Sequence, residues 1–125
     1  MRVQVTLKQI NLDTGEEKII ADGPAIMEEG RLRYREDQEK AIHDVHFSEK
    51  EVILERRAEI SSRTVLSNER DSHSMVKSPW GDMNLEAKTN RISMEKERWI
   101  VEYELFSENE RILNQRLQWE IRYLS

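Results

Sequence analysis

Residues 98–124 constrain the fold more than any other part of the chain. They read RWIVEYELFS, ENER and ILNQRLQWEIRYL. Trp99, Val101, Tyr103 and Leu105 share one parity, with Glu102 and Glu104 on the other. Further on, Leu113, Leu117, Trp119, Ile121 and Tyr123 alternate with Asn114, Arg116, Gln118, Glu120 and Arg122. A period of two is the signature of strands with one buried and one wet face. The short polar link at 107–111 joins the two runs as a hairpin.

A helix competes for the second run. Ser107 and Glu110 have capping-box spacing, and Leu113, Leu117, Ile121 and Leu124 lie at helical intervals. A helix, however, would leave Trp119 and Tyr123 on the far side of that stripe. A strand buries them with the others, which is worth several kcal/mol at roughly 25 cal/mol per Å² of apolar surface. The strand is the preferred reading.

The rest of the chain follows the same rhythm. Residues 2–10 alternate, with Val3, Val5 and Leu7 on one side, and Asp13-Thr14-Gly15 is a turn signal. Residues 17–22 form a second strand. Gly23-Pro24 then predicts a bend or a sheet edge, because proline cannot donate to a ladder, with strand resuming at 25–28. After the Glu29-Gly30 turn, Leu32 and Tyr34 point one way and Arg31, Arg33 and Arg35 the other. A charged connection over 37–40 leads to His43, Val45 and Phe47 on one parity. Val52, Leu54, Arg56, Ala58, Ile60, Ser62, Thr64 and Leu66 keep one parity across a bend near residues 57–59. A short strand over 73–78 ends in Ser78-Pro79-Trp80-Gly81. The next run alternates through Met83, Leu85, Ala87 and Thr89, then switches parity to Ile92 and Met94, which predicts a β-bulge at Asn90-Arg91.

These about eight to ten short strands with regular turns predict one all-β domain over residues 1–125. Meander-like connections favour an up-and-down antiparallel barrel of calycin-like (lipocalin-like) form. The chain has no cysteine, so disulfides, thiolate metal sites and cysteine nucleophiles are excluded. The N-terminus alternates rather than forming an apolar run, and no stretch has the length of a membrane span. The expectation is a cytoplasmic protein without a membrane partner. Charged residues make up 36 % of the chain with both signs interspersed, for a net charge of −5. That balance reads as a solvated exterior and disfavours nucleic acid, since the general attraction to phosphate is missing.

Four pieces occur together in order: Tyr34-Arg35-Glu36; Arg56-Arg57-Ala58 leading to Ser62, Thr64 and Leu66; Ser78-Pro79-Trp80-Gly81 leading to Met83, Leu85, Ala87 and Thr89; and Val101-Glu102-Tyr103-Glu104-Leu105. In these the chain resembles the small bacterial family typified by YwiB. The resemblance implies a calycin-like barrel and carries no established activity or catalytic residues. The sequence departs from the family pattern at Trp80, where tyrosine is usual, at Ala58, where glycine is usual, and at Leu66 and Val76, where aromatics are expected. The turn at 68–71 also lacks glycine. The hydrophobic pattern survives all of these changes.

A barrel interior can hold one ligand or be filled by side chains. The inward parity mixes Arg56, Ser62, Thr64, Ser74, Ser78, Thr89, Tyr103 and Gln115 with Leu54, Met83, Leu85, Leu117 and Trp119. An apolar wall with a few convergent polar groups is the usual make-up of a small-molecule site. The candidate ligand-binding residues are therefore Arg56 as anchor, Met83, Leu85, Tyr103 and Trp119 as walls, and Trp80 as a plug or lid. The ligand would be small and amphipathic or acidic, held by the Arg56 fork. In the alternative, Arg56 pairs with a glutamate or reaches solvent at the rim, since arginine is rarely buried unpaired. His43 and His46 point to opposite faces of one strand, so no metal is expected. No nucleophile turn or phosphate loop is present, and no cofactor or catalytic activity is expected. The competing functional reading is a protein-interaction or homodimerising barrel with a filled core.

Overall fold

The computed structural model describes residues 1–38 and 40–124; Glu39, within the charged connection, and Ser125 lie outside the described residues. Ten strands follow one another: β1 (Arg2–Asn11), β2 (Glu17–Glu28), β3 (Arg31–Arg35), β4 (Ile42–Phe47), β5 (Glu51–Arg57), β6 (Ser61–Ser67), β7 (Ser72–Ser78), β8 (Gly81–Met94), β9 (Arg98–Ser107) and β10 (Glu110–Tyr123). Each pairs antiparallel with its sequence neighbours, and β10 pairs with β1, so the meander closes into an all-β barrel. Among the described residues, no helix is long and apolar enough to cross a membrane.

The hairpin of β9 and β10 decides the competition between strand and helix. Trp119 faces Trp99 and Leu117 faces Val101 across the ladder. Trp99, Val101, Tyr103, Trp119 and Ile121 are all buried. The connection is only Glu108-Asn109, both at positive φ (51° and 68°). Two consecutive left-handed residues make the turn whose twist matches that of the flanking strands. Ile112 is an extra residue in the ladder just after it, and the expected bulge at Asn90 is also present.

Of the bend or sheet edge expected at Gly23-Pro24, the edge is present and the bend is not. Gly23-Pro24 does not interrupt the second strand; β2 runs unbroken, with Pro24 opposite Gln4. The irregularity lies at Ile20, the extra residue where the register shifts between Leu7 and Lys8. Pro24 is tolerated because β3 joins β2 only from Ala25 onward, so Pro24 has a ladder neighbour on one side alone.

The core fills the end of the barrel where the β2–β3, β4–β5, β6–β7 and β8–β9 connections lie. Val3, Val5, Leu32, Val45, Phe47, Val52, Leu66, Trp99 and Ile121 pack there. Phe47 stacks on Trp99 at 5.0 Å between centroids and meets Trp119 edge-on at 5.9 Å, the offset and T-shaped geometries that aromatic quadrupoles favour. Towards the opposite end, where the other five hairpins turn, the inward side chains become polar.

Candidate functional site

The polar half of the barrel encloses a cavity of about 200 Å³. Leu7, Ile20, Leu54, Leu117 and Trp119 supply its apolar wall; Gln9, Glu36, His43, Arg56, Ser62, Thr64, Tyr103 and Gln115 supply polar groups. These residues come from seven strands and one loop. Cross-strand register aligns Tyr34 with His43, His43 with Arg56, and Arg56 with Ser62.

A continuous hydrogen-bond chain crosses this wall. Trp119 Nε1–H donates to Tyr34 Oη at 2.7 Å. Tyr34 Oη lies 3.4 Å from His43 Nδ1, and the two rings stack at 4.9 Å. His43 Nε2 is 2.6 Å from Glu36 Oε1. Arg56 then holds both oxygens of Glu36, Nε to Oε1 at 2.6 Å and Nη2 to Oε2 at 3.3 Å, while its Nη1 donates to the Ile60 carbonyl at 3.1 Å. Burial pushes the His43 pKa down, against the opposing pull of Glu36. Neutral His43 therefore donates from Nε2 to the carboxylate and accepts the Tyr34 hydroxyl at Nδ1, so the links from Trp119 to Glu36 share one direction and Glu36 accepts from both His43 and Arg56. Burial raises the Glu36 pKa, but the hydrogen bonds from Arg56 and His43 outweigh it and hold the carboxyl below its usual range. Tyr34 is raised by burial, and burial pushes Tyr103 up to about 12.

A second polar cluster lies across the cavity. Gln9 Nε2 donates to Gln115 Oε1 at 2.6 Å, and Gln115 Nε2 donates to Tyr103 Oη at 2.7 Å. Gln9 and Gln115 also line an outer recess of about 240 Å³ that opens towards the β1–β2 turn. Thr64 and Ser74 join their hydroxyls at 2.7 Å. Among the described residues, no buried side-chain nitrogen or oxygen lacks a partner.

Of the residues singled out from the sequence, Arg56, Tyr103 and Trp119 meet at this cavity. Leu85 is buried beside Ser74 but does not line it. Met83 and Trp80 stand away from it, 51 % and 81 % exposed. Trp80 does not line the cavity; it stands in the two-residue turn Pro79-Trp80 at the end of the β7–β8 hairpin, and β9 pairs with β8 only from Glu86 onward. The Arg56 fork is engaged by Glu36. Two of the outward arginines of β3 also have carboxylate partners: Arg31 grips Asp44 with two bonds of 2.9 and 2.7 Å, and Arg33 reaches Glu28 at 3.3 Å.

Sequence reasoning passed over Glu36 and gave His43 no role here. The signal was available: Glu36 continues the inward parity of Leu32 and Tyr34, and His43 shares that of Val45 and Phe47. A larger groove of about 500 Å³ between Met1, Met27, Met94 and Tyr123, at the opposite end, is wide open to solvent and lacks a comparable convergence of polar groups. Among the described residues, no cluster of three or more His, Asp or Glu could hold a metal ion.

The fold and this site define a closed ten-stranded antiparallel barrel with a polar pocket in one half. The chain belongs to the family described as Domain of unknown function (DUF1934), whose model matches residues 3–118. Its fold is similar to that in the crystal structure of the ywiB protein from Bacillus subtilis, with a TM-score of 0.61 and 16 % identity over 95 % of this chain and 90 % of that one. At that identity the likeness concerns the fold alone. No curated protein matches the chain.

Proposed function

We propose that this protein is a calycin-like binder that takes up one small amphipathic molecule inside its barrel. The observation that carries this reading is the cavity itself, apolar along Leu54, Leu117 and Trp119 and polar along Glu36, His43, Arg56 and Gln115. At about 200 Å³ it has the volume of on the order of six waters, at about 30 Å³ each. The ligand is therefore small. Glu36 and Arg56 neutralise one another, so the pocket favours a neutral molecule with both donor and acceptor groups. An acidic ligand binds only by taking Arg56 from Glu36.

The reading is of binding without turnover. Glu36, His43 and Arg56 are a cluster of ionisable groups, which is what catalysis would need. Both nitrogens of His43 are already engaged, one by Glu36 and one by Tyr34, so the imidazole offers no free nitrogen to a reacting group. The absence of cysteine supports a cytoplasmic setting.

Native mass spectrometry of freshly purified protein tests the proposal, with a fragment-library screen by NMR beside it. A bound small mass, or amide shifts clustered at Arg56, Ser62 and Gln115, is expected. The variant Ser62→Phe, which fills the cavity from its rim, should lose both. The absence of both a co-purified mass and any fragment response in the cavity would sink the reading.

A further inference from the structure

A closed barrel removes sheet edges only where neighbouring strands are equally long. Here the strands are staggered. Residues 110–113 of β10, beyond the end of its pairing with β1, carry the Ile112 bulge, and three further overhangs lie on β2 and β8. The outer side of β2 before Ala25 is protected: Asp37 N–H bonds the Ile20 carbonyl at 3.4 Å, Asp22 N–H donates to Asp37 Oδ1 at 3.0 Å, and Pro24 withholds a donor. The far end of β8 beyond Ala87 carries a bulge at Asn90 together with Lys88 and Arg91. Both are common devices against edge pairing.

The third overhang is different. Residues 81–85 of β8 pair with β7 on one side, while β9 reaches β8 only at Glu86. Among the described residues, no backbone group pairs with the other side of 81–85. That edge has no proline or bulge and a single charge, Asp82. It is held in place by its turn, where Trp80 N–H donates to Ser78 Oγ and the Ser78 hydroxyl donates to the Gly81 carbonyl. The largest exposed apolar side chains nearby, Trp80 and Met83, stand on the same hairpin.

We propose that this edge is a self-association surface: two copies pair residues 81–85 antiparallel about a two-fold axis through Met83. The side chains favour that occupant. With Met83 on the axis, Asp82 faces Asn84 and Gly81 faces Leu85 of the second copy, so no like charges are opposed. Val76 is the cross-strand neighbour of Met83, and Lys77 that of Asp82. The inner face of the joined sheet becomes an unbroken apolar row, Val76–Met83 against Met83–Val76. On the outer face each Asp82 lies between its own Lys77 and the second copy's Asn84. An interface built on one short edge falls at the small end of the size range, below about 1,200 Å², so the dimer is reversible and depends on concentration.

Sedimentation velocity of the full chain across a wide concentration range tests this, with circular dichroism to check the fold of each variant. The wild type should shift from monomer to dimer. Met83→Lys, which opposes two ammonium groups on the axis, should raise the dimer dissociation constant roughly tenfold or more. The chain has no cysteine, so a single introduced thiol reports its own position. Oxidised Met83→Cys should run as a covalent dimer, and Lys88→Cys, on the bulged part of β8, should not. A monomer at every concentration, a dimer indifferent to Met83→Lys, or equal cross-linking of the two cysteine variants overturns the proposal.

Discussion

Trp119 Nε1–H donates to the hydroxyl of Tyr34 at 2.7 Å, across 85 residues of chain and between two buried side chains. The bond sits at the boundary between the packed and the polar halves of the barrel. Trp119 meets Phe47 on one side and lines the cavity on the other. Tyr34 passes the bond on towards His43, Glu36 and Arg56. Packing and pocket therefore share this pair.

Tyr34→Phe leaves the indole N–H and His43 Nδ1 without their shared partner while keeping the ring. The expected loss is about 1–3 kcal/mol, the penalty for an unsatisfied buried polar group. Trp119→Ala should cost more, about 3–5 kcal/mol, because it opens a large void in the core. Urea unfolding measures both; a cost for Tyr34→Phe near zero would mean the bond is dispensable.

Arg56→Ala strips Glu36 of its main charged partner. Glu36 is mostly sheltered, with 11 % of its side chain accessible. The expected destabilisation is roughly 3 kcal/mol, the low end for breaking a buried pair, and the Glu36 carboxyl should titrate at higher pH. Carbon-detected NMR of the carboxyl follows that shift directly. An unchanged titration would show that His43 alone holds the anion.

Stability should decline on both sides of neutrality. The His43 pKa is depressed in the fold, so the folded state binds fewer protons than the unfolded chain. Stability is then complete above the ordinary histidine range, near 6.5, and falls as pH drops through it. Glu36 is also depressed and adds a second loss further down, through the carboxylate range. On the alkaline side, Tyr34 and Tyr103 are raised, so their contribution is present below about pH 10 and is lost as pH climbs above it. Midpoints of urea unfolding against pH trace this dome. His43→Gln should flatten the step near pH 6, and an identical profile in that variant would contradict the assignment.

Glu108 occupies a left-handed conformation, φ 51°, that glutamate adopts at a cost. Glu108→Gly is expected to stabilise the β9–β10 hairpin by up to about 1 kcal/mol, less the extra entropy of glycine in the unfolded chain. The opposite case is Gly30, at φ 68°, where an added Cβ would lie 3.0 Å from the Phe47 carbonyl oxygen. That oxygen belongs to backbone and cannot swing aside. Gly30→Ala should cost about 1–3 kcal/mol. Thermal unfolding of the two variants should move the midpoint in opposite directions.

Much of the fold was legible because side-chain parity is a local property. Leu32 with Tyr34, Val52 with Leu54, and Trp99 with Val101 and Tyr103 all face inward as their alternation predicts. Even the bulge at Asn90 is visible as a switch of parity. Pro24 does mark an edge, but the sequence could not tell that edge from a bend, because it does not show how many neighbours a strand has at a given residue. Of the candidate residues, Arg56, Tyr103 and Trp119 line the pocket, while Met83 and Trp80 stand outside it. Met83 does share a cross-strand row with Arg56, through Ser62 and Val76. Its own wall ends below it, since β9 does not reach that far.

The sequence by itself determined that this chain forms short antiparallel strands, which face of each is buried, and that polar groups share the inward face. It could do so because alternation and turn chemistry act over a few residues. Only the tertiary structure decided that Glu36 takes the Arg56 fork and that residues 81–85 project beyond their neighbour. Those outcomes depend on register and stagger between strands far apart in the chain, and a period of two carries no information about either.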